Sequence, residues 1–370
     1  MSDSLEAVPE HLSAAAGNIG ERAGLLIQHN SVTTIAHLAP EVHDRGVHFE
    51  SIDAALRDHP DLVEPYLHSL VPTERSKFTA LHGAFRTGGT FLLVPKGVRV
   101  EAPIQSLVYL DADGAAVFPH TLIVVEEDAE VTFVERFVSP DLTRALSSAV
   151  VEIHAARGSR VRYVGLQDWG SGVTHLGIQR AHVGQEATLS TLAVAFGGDL
   201  ARAEAESVLA APGAHSEMLG LYFATGSQHY DHRSLQDHIA PNCTSELLYK
   251  GALKGASRSI YSGWVMVRPG AQRTDAFQTN RNIVLSDTAK ADSVPNLEIE
   301  ANDVRCGHAA STGPIDEDTL FYMQTRGLPA DEAEHLIVTG FFQEVIDRVP
   351  LPEVAAGMTE AIELELARPG

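Results

Sequence analysis

The sequence predicts a mainly β protein whose core is a β-solenoid, with helical regions at both ends. Two observations support this prediction. A turn signature recurs every 27 to 31 residues, and the segments between turns alternate apolar and polar residues. A fixed period of this size is typical of solenoids and arrays, and period-two alternation is typical of strands. A β-sandwich is the alternative, whereas propeller blades have a longer period of about 40 residues.

Residues 1–87 are predicted to form an N-terminal helical region. Stretches of helical character occur at Ala54-Ala55-Leu56-Arg57 and at 76–85, and Pro60 and Pro72 separate them. Proline interrupts helices because it lacks the backbone N–H and its ring clashes with the preceding turn.

Residues 88–312 are predicted to form the solenoid. The segments at 122–125 and 131–134 flank one turn, and those at 150–153 and 161–164 flank the next. They are rich in Val and Ile, which favour strands. Each turn combines Gly, Asp or Pro with a small residue, and these small residues are Val98, Ala129, Ser159, Ala187, Ala214, Cys243 and Ala271. Stacked rungs bury their inner faces on one another, so Cys243 is interpreted as a structural turn residue.

Residues 313–370 are predicted to form a C-terminal helical region. Acidic residues at 316–318 start a first helix and Gly327 ends it, as the capping preferences require. A second helix starts at Leu328-Pro329, and a third runs from Pro352 to about Leu366. The predicted apolar stripe of the second helix is Ala333, Leu336, Ile337, Gly340 and Phe341. Such helices cap the last rung or dock a partner.

Composition excludes several classes of protein. The 370 residues carry a formal charge of −22, with 44% hydrophobic residues. Nucleic acids and anionic membranes need basic surface, so neither is an expected partner. The chain opens without the basic and apolar regions of a secretory signal, and no apolar run approaches the roughly 20 residues of a membrane span. Two cysteines make no disulfide framework, so a reducing cytoplasm is the expected compartment.

Common catalytic motifs are absent from the sequence. It contains no phosphate-binding Gly-x-x-x-x-Gly-Lys-Ser/Thr, no Gly-x-Ser-x-Gly, no His-Glu-x-x-His and no Cys-x-x-Cys. Three histidines cluster at His229, His232 and His238. On a regular strand His229 and His232 point to opposite faces, whereas His232 and His238 share one. A metal-dependent enzyme that uses His232 and His238 is one hypothesis, and a polar ladder between rungs is the other.

Cys306 and His308 are the strongest candidates for chemistry. Thiolate and imidazole are good soft-metal ligands, and residues two apart on a strand project from one face. Zinc and iron–sulfur sites normally need about four ligands, so this pair is either ordinary packing or half of a site that another chain completes. Val304 shares the face, which suggests the interior, but Gly307 could kink the strand and turn the pair outward.

A long run of motifs resembles one known family. The run comprises Ser262-Gly263-Trp264, Gln272–Gln278, Asn282–Asp287, Pro295–Ile299, Asp303–His308 and Leu320–Leu328, with further matches at Lys77-Phe78, Phe91–Lys96, Pro103-Ile104, His238, Pro241 and Ser245. It resembles the SufB/SufD family of the SUF iron–sulfur cluster assembly system over residues 75–348. The chain is more similar to SufD-type members, which have Asp-Asp-Val-Lys-Cys-x-His where this sequence has Asn302–His308.

The resemblance implies a right-handed parallel β-helix and a non-catalytic scaffold subunit. The implied partners are a SufB-like subunit and a SufC-like ATPase, with possible homodimers when the chain is isolated. His308, with Cys306 secondary, would lie where a transient iron–sulfur cluster assembles at the subunit interface. The C-terminal helices would dock the ATPase, with candidate contacts at Leu320, Phe321, Tyr322, Arg326, Gly327, Leu336 and Phe341.

No stably bound cofactor is expected in this chain alone. A reduced flavin is associated with the family's complex, but the sequence has no Gly-x-Gly-x-x-Gly fingerprint to support flavin binding here. A purely structural dimerisation module, with His308 as interface packing, is a further alternative.

Overall fold

The computed structural model describes residues 9–17 and 20–368, and it confirms the predicted fold class. The described chain forms a parallel β-solenoid of about eight turns, with helices at both ends. Consecutive strands of the solenoid alternate between two long sheets, so each turn of the chain adds one strand to each sheet.

The strands are β1 (Gly24–His29), β2 (Val32–Leu38), β3 (His48–Ser51), β4 (Gly89–Val94), β5 (Ile104–Tyr109), β6 (Ala116–Val117), β7 (His120–Val125), β8 (Glu130–Val138), β9 (Ala145–Ala155), β10 (Arg160–Asp168), β11 (Val173–Val183), β12 (Thr188–Ala195), β13 (Leu200–Leu209), β14 (His215–Ala224), β15 (His229–His238), β16 (Thr244–Leu253), β17 (Arg258–Val267), β18 (Asp275–Val284), β19 (Lys290–Ile299) and β20 (Arg305–Pro314). The helices are α1 (Glu10–Ala16), α2 (Pro40–His43), α3 (Ile52–Asp58), α4 (Pro60–Val63), α5 (Lys77–Phe85), α6 (Glu317–Thr325), α7 (Ala330–Ile346) and α8 (Pro352–Ala367), with a 3-10 turn at Thr73–Arg75.

The two sheets extend along the solenoid and pack against each other through a shared core. Sheet A has the order β2-β1-β5-β8-β10-β12-β14-β16-β18-β20, and sheet B has the order β19-β17-β15-β13-β11-β9-β7-β4-β3, with β6 also pairing β9. The named strands pair in parallel except at the N-terminal end, where β1 pairs β2 and β3 pairs β4 antiparallel. The last strands, β19 and β20, therefore lie together at the C-terminal end.

The predicted column of small turn residues lies at one corner of the solenoid. Six members, from Ala129 to Ala271, are fully buried, while Val98 at the N-terminal end is half-buried. The residue before the small one has a positive φ in most of these turns, for example 57° at Asp128 and 59° at Asn242. A tight left-handed turn brings the next side chain into the interior, where only a small one fits between rungs. Cys243 occupies such a position.

Strands β1, β2 and β3 were not predicted, because the first 87 residues were interpreted as helical. β1 and β2 form a hairpin through Asn30 and Ser31, with φ 53° at Asn30. Asparagine tolerates this conformation better than most residues, so the hairpin signal was present in the sequence. β1 also pairs β5 in parallel, which extends sheet A beyond the first full rung.

Helices α7 and α8 cover the outer face of sheet A. Phe342 and Ile362 are among the helix residues that pack there, against strand residues such as Leu221 and Phe223. These strands are apolar on both faces because the inner face meets the core and the outer face meets the helices. The predicted stripe of α7 was wrong in part. Its buried residues are Ala333, Val338, Phe342, Val345 and Ile346, while Leu336 and Gly340 are exposed.

The predicted stripe of α7 was wrong in part because apolar side chains lie around much of the circumference of this helix. Leu336, Ile337 and Val338 are consecutive, and Phe341 is followed by Phe342. Two adjacent stripes therefore both satisfy the helical period, and contact with the sheet selects one of them. No helix among the described residues is long and apolar enough to cross a membrane.

Candidate functional site

The candidate site lies at the C-terminal end of the solenoid, where the stacking of rungs stops. β20 pairs β18 and β19 pairs β17, and within the described residues no strand pairs the opposite edge of either one. Most residues of β20 are exposed. The solenoid therefore ends in two open strand edges with an uncovered inner face.

Cys306 and His308 both project from the inner face of this last rung. Their register partners on β18 are Ala276 and Gln278, which are both buried in the solenoid interior. Cys306 is half-buried and packs beside Val304, whereas His308 is exposed. The face is the interior one, as Val304 suggested, but no further rung of the described chain covers it.

Gly307 does not kink the strand. The register of β20 on β18 is continuous from Arg305 to Pro314. A Cβ at position 307 would lie 2.8 Å from the ring of Phe277, the residue beside it on β18. The glycine therefore makes room for an aromatic ring on the outer face, and the pair stays in line with the interior.

The interior beneath the pair is polar. Gln278 donates from Nε2 to the Asn296 carbonyl oxygen at 3.0 Å, and its Oε1 accepts from the Tyr261 hydroxyl at 3.4 Å. Nearer the N-terminal end the same interior is aliphatic and aromatic, as at Val131 and Phe133. The last rungs thus place hydrogen-bonding groups below an exposed imidazole and a half-buried thiol.

Cys306 and His308 do not form a closed metal site by themselves. Among the described residues, the groups of three or more histidine, cysteine or acidic side chains with converging donor atoms include neither of them. Burial raises the pKa of the Cys306 thiol, so the thiol is protonated at neutral pH without a metal or a cationic partner. The arrangement supplies two ligands and leaves the rest of a coordination sphere open.

His232 and His238 occupy the interior as separate packing groups. The His232 ring stacks on Tyr222 with 4.5 Å between ring centroids, and His238 Nε2 lies 2.8 Å from Ser245 Oγ. Both side chains are buried, and burial lowers the pKa of each to about 4. Neither belongs to a converging ligand group within the described part of the chain.

The seven predicted ATPase-docking residues divide into an exposed set and a packed one. Phe321, Tyr322, Arg326, Gly327 and Leu336 are exposed, and Leu320 is half-buried. Phe341 instead packs its ring against Phe342 at 5.1 Å between centroids, and the Lys250 ammonium lies 4.9 Å from its centroid. α6 has no buried residue and presents an uncovered apolar surface.

A buried acidic and histidine cluster was missed from the sequence. Glu152 accepts hydrogen bonds from three backbone N–H groups of residues 68–71 at 2.6–2.8 Å. Its Oε2 also lies 2.9 Å from His120 Nε2, and His120 Nδ1 lies 3.1 Å from His82 Nε2. The cluster anchors the loop before α5 to sheet B. Its members come from segments that are distant in sequence, so no local motif predicts the cluster.

Two family models match the chain and together span most of it. The SufBD protein N-terminal region matches residues 25–106, and the SUF system FeS cluster assembly, SufBD core domain, matches residues 108–341. The chain is therefore a member of the SufBD family of iron–sulfur cluster assembly proteins, which confirms the resemblance.

Individual relatives lead to the same family. The iron–sulfur cluster assembly protein SufD of Bacillus subtilis is 32% identical over 364 residues, which cover 97% of this chain and 83% of that protein. An iron–sulfur cluster assembly SufBD family protein of Mycobacterium tuberculosis is 38% identical over 304 residues, covering 80% and 75%. One from Staphylococcus epidermidis is 30% identical over 345 residues, covering 93% and 74%.

Proposed function

We propose that the chain is a SufD-like, non-catalytic scaffold subunit that pairs with a SufB-like subunit and a SufC-like ATPase. An iron–sulfur cluster is assembled as a transient cargo at the interface between the two solenoid subunits. The observation that carries the proposal is the open C-terminal end of the solenoid, with Cys306 and His308 on its uncovered inner face.

The open end supports pairing with a second solenoid. Unpaired strand edges are templates for another strand, and proteins normally protect them. Apolar side chains are exposed on the last strands, at Trp264, Phe277, Val294 and Ile299. A subunit of the same family offers a matching edge, so the two solenoids would continue each other's sheets and cover these side chains.

His308 is the residue of this chain that we assign to the cluster, with Cys306 secondary. The imidazole is exposed at the open end, whereas the thiol is partly covered and its pKa is raised by burial. Two ligands are fewer than a cluster needs, and the partner subunit supplies the others. His308 acts there as a ligand or a proton acceptor.

α6 is the surface that we assign to the ATPase. Phe321 and Tyr322 are exposed on one short helix, and Leu336 is exposed on α7. Large exposed apolar side chains grouped in this way are typical of protein interaction sites. Since α7 and α8 are fixed to sheet A, movement of a docked ATPase would be transmitted to the solenoid.

The test compares the wild-type three-subunit complex with His308→Ala after anaerobic reconstitution with iron and sulfide. We expect the variant to co-purify with both partners and to retain iron and acid-labile sulfide at least about tenfold less well. His43→Ala, at an exposed histidine on α2 in the N-terminal region, is the matched control and should assemble clusters normally.

The other outcomes separate the alternatives. Unchanged iron and sulfide in His308→Ala would refute the ligand role. Loss of the complex itself would favour a purely structural dimerisation module. Val294→Lys should weaken binding to the SufB-like subunit and leave binding to the ATPase unchanged. Phe321→Asp should weaken binding to the ATPase and leave binding to the SufB-like subunit unchanged. Gel filtration of the isolated chain shows whether it self-associates through the same edge.

A further inference from the structure

We propose that His48, Glu50 and His59 form a divalent-cation site of the zinc type at the N-terminal edge of sheet B. The site is remote in the fold from the open C-terminal end and independent of cluster assembly. It joins the strand before α3 to the residue after α3, so the bound ion would hold both ends of that helix.

The three side chains converge because of their places in the fold. His48 and Glu50 are two residues apart on β3, and they point away from the solenoid interior, into which Phe49 packs. His59 follows the last residue of α3 and precedes Pro60, the first residue of α4. The helix returns the chain to the strand, which brings His59 beside His48 with 5.0 Å between ring centroids.

The donor atoms are close enough for one ion. One donor atom from each of the three side chains lies within 4.8 Å of the other two. Zinc–ligand distances of about 2.0–2.2 Å in a tetrahedral site place donor atoms roughly 3.3–3.6 Å apart. The three side chains are half-buried, so rotation about their χ angles would bring the donor atoms closer together when an ion binds.

None of the three donor groups is used elsewhere in the described structure. Neither imidazole ring nor the Glu50 carboxylate has a side-chain hydrogen bond or ion pair with another described residue. Asp58, the nearby acidic neighbour, is instead occupied by Arg57 in a two-point ion pair at 2.7 and 2.9 Å. The free groups are therefore those that a metal would bind.

The local electrostatics suit a cation. Glu50 is half-buried and forms no ion pair within the described residues, so a bound cation would compensate for the desolvation of its carboxylate. A divalent ion would satisfy the carboxylate and both rings together.

The donor set indicates the kind of metal. Two imidazoles and one carboxylate are a known zinc combination, in which water completes four-coordination. The hard cations Mg²⁺ and Ca²⁺ prefer all-oxygen sites, so they are poor candidates here. The second converging group, His68 with His120 and Glu152, is a weaker candidate because Glu152 already accepts three backbone hydrogen bonds.

The experiment measures zinc binding to the full chain, with any histidine affinity tag removed. Isothermal titration with zinc alone should give one ion per chain, and zinc should raise the melting temperature. Glu50→Gln keeps the side-chain shape and should weaken binding by at least about tenfold, as should His59→Ala. His335→Ala, which removes a partly exposed histidine on α7, should bind zinc as the wild type does.

Other results would overturn the proposal. The first is that the wild-type chain does not bind zinc stoichiometrically. The second is that both Glu50→Gln and His59→Ala bind zinc as the wild type does. The third is that His68→Ala loses zinc binding while His59→Ala keeps it. Circular dichroism without zinc should show the same fold for all variants. A loss of affinity can then be assigned to the site and not to misfolding.

Discussion

Replacing His232 by phenylalanine should make the protein more resistant to acid. His232 lies inside the solenoid at 4% exposure, stacked on Tyr222. Its Nε2 atom is buried without a hydrogen-bond partner among the described residues. Burial lowers the pKa of His232 from 6.5 to about 4, because a charged ring cannot be solvated there.

The sign of the effect follows from proton uptake. Between pH 6.5 and 4 the unfolded chain binds a proton at position 232 and the folded chain does not, so stability falls as pH falls. Each pH unit corresponds to about 1.4 kcal/mol. Relative to neutral pH, His232 alone should therefore lower the free energy of unfolding by about 2 kcal/mol at pH 5.

His232→Phe keeps an aromatic ring beside Tyr222 and removes the titration. At pH 7 the variant should lie within about 1.5 kcal/mol of the wild type. Urea unfolding at pH 7, 6 and 5 should then show that the free energy of unfolding of the variant, relative to that of the wild type, rises by about 2 kcal/mol between pH 7 and pH 5. His335→Gln, at a partly exposed histidine, is the control and should show no such shift. A difference that does not depend on pH would refute the reasoning.

Four further predictions concern packing and reactivity. Glu152→Ala leaves three backbone N–H groups without an acceptor and should cost about 3–5 kcal/mol of unfolding free energy in urea, with Glu152→Gln costing less. Phe342→Ala should cost about 3–5 kcal/mol and make α7 and α8 more sensitive to limited proteolysis. Gly89→Ala puts a Cβ 2.1 Å from a backbone carbonyl oxygen at a φ of 112°, so a loss of more than about 2 kcal/mol is expected on thermal unfolding. An aromatic disulfide reagent should label Cys306 in the native protein and Cys243 only after unfolding; equal labelling rates would contradict the burial of Cys243.

The solenoid was predictable because its turns impose a chemical requirement at a fixed interval. At most corners a residue in the left-handed conformation precedes a side chain that must be small, as at Asn242 and Cys243. This combination occurs at six of the seven corners that the sequence pattern identifies, so one sequence shows it repeatedly. The start of α6 was likewise visible, since Asp316 accepts a hydrogen bond from the Thr319 N–H at 3.1 Å.

The N-terminal region was harder to predict because its elements do not repeat. β3 has four residues, His48–Ser51, and α3 follows at once with Ser51 as its N-cap. Without the strand, His48 and Glu50 are not seen to share a face. The return of His59 beside them depends on the length and direction of α3, which no local pattern encodes. The proposed cation site is therefore visible only in three dimensions.

The open end of the solenoid explains why the sequence could not decide the environment of Cys306 and His308. Ala276 and Cys306 occupy equivalent inward positions on adjacent strands, as do Gln278 and His308. The first member of each pair is buried and the second is half-buried or exposed. Period-two alternation assigns all four to the interior, because it reports direction relative to the sheet and not the presence of a next rung. The candidate site is thus created by the end of stacking, and a subunit that continued the stack would bury His308 and Cys306 together with whatever they bind.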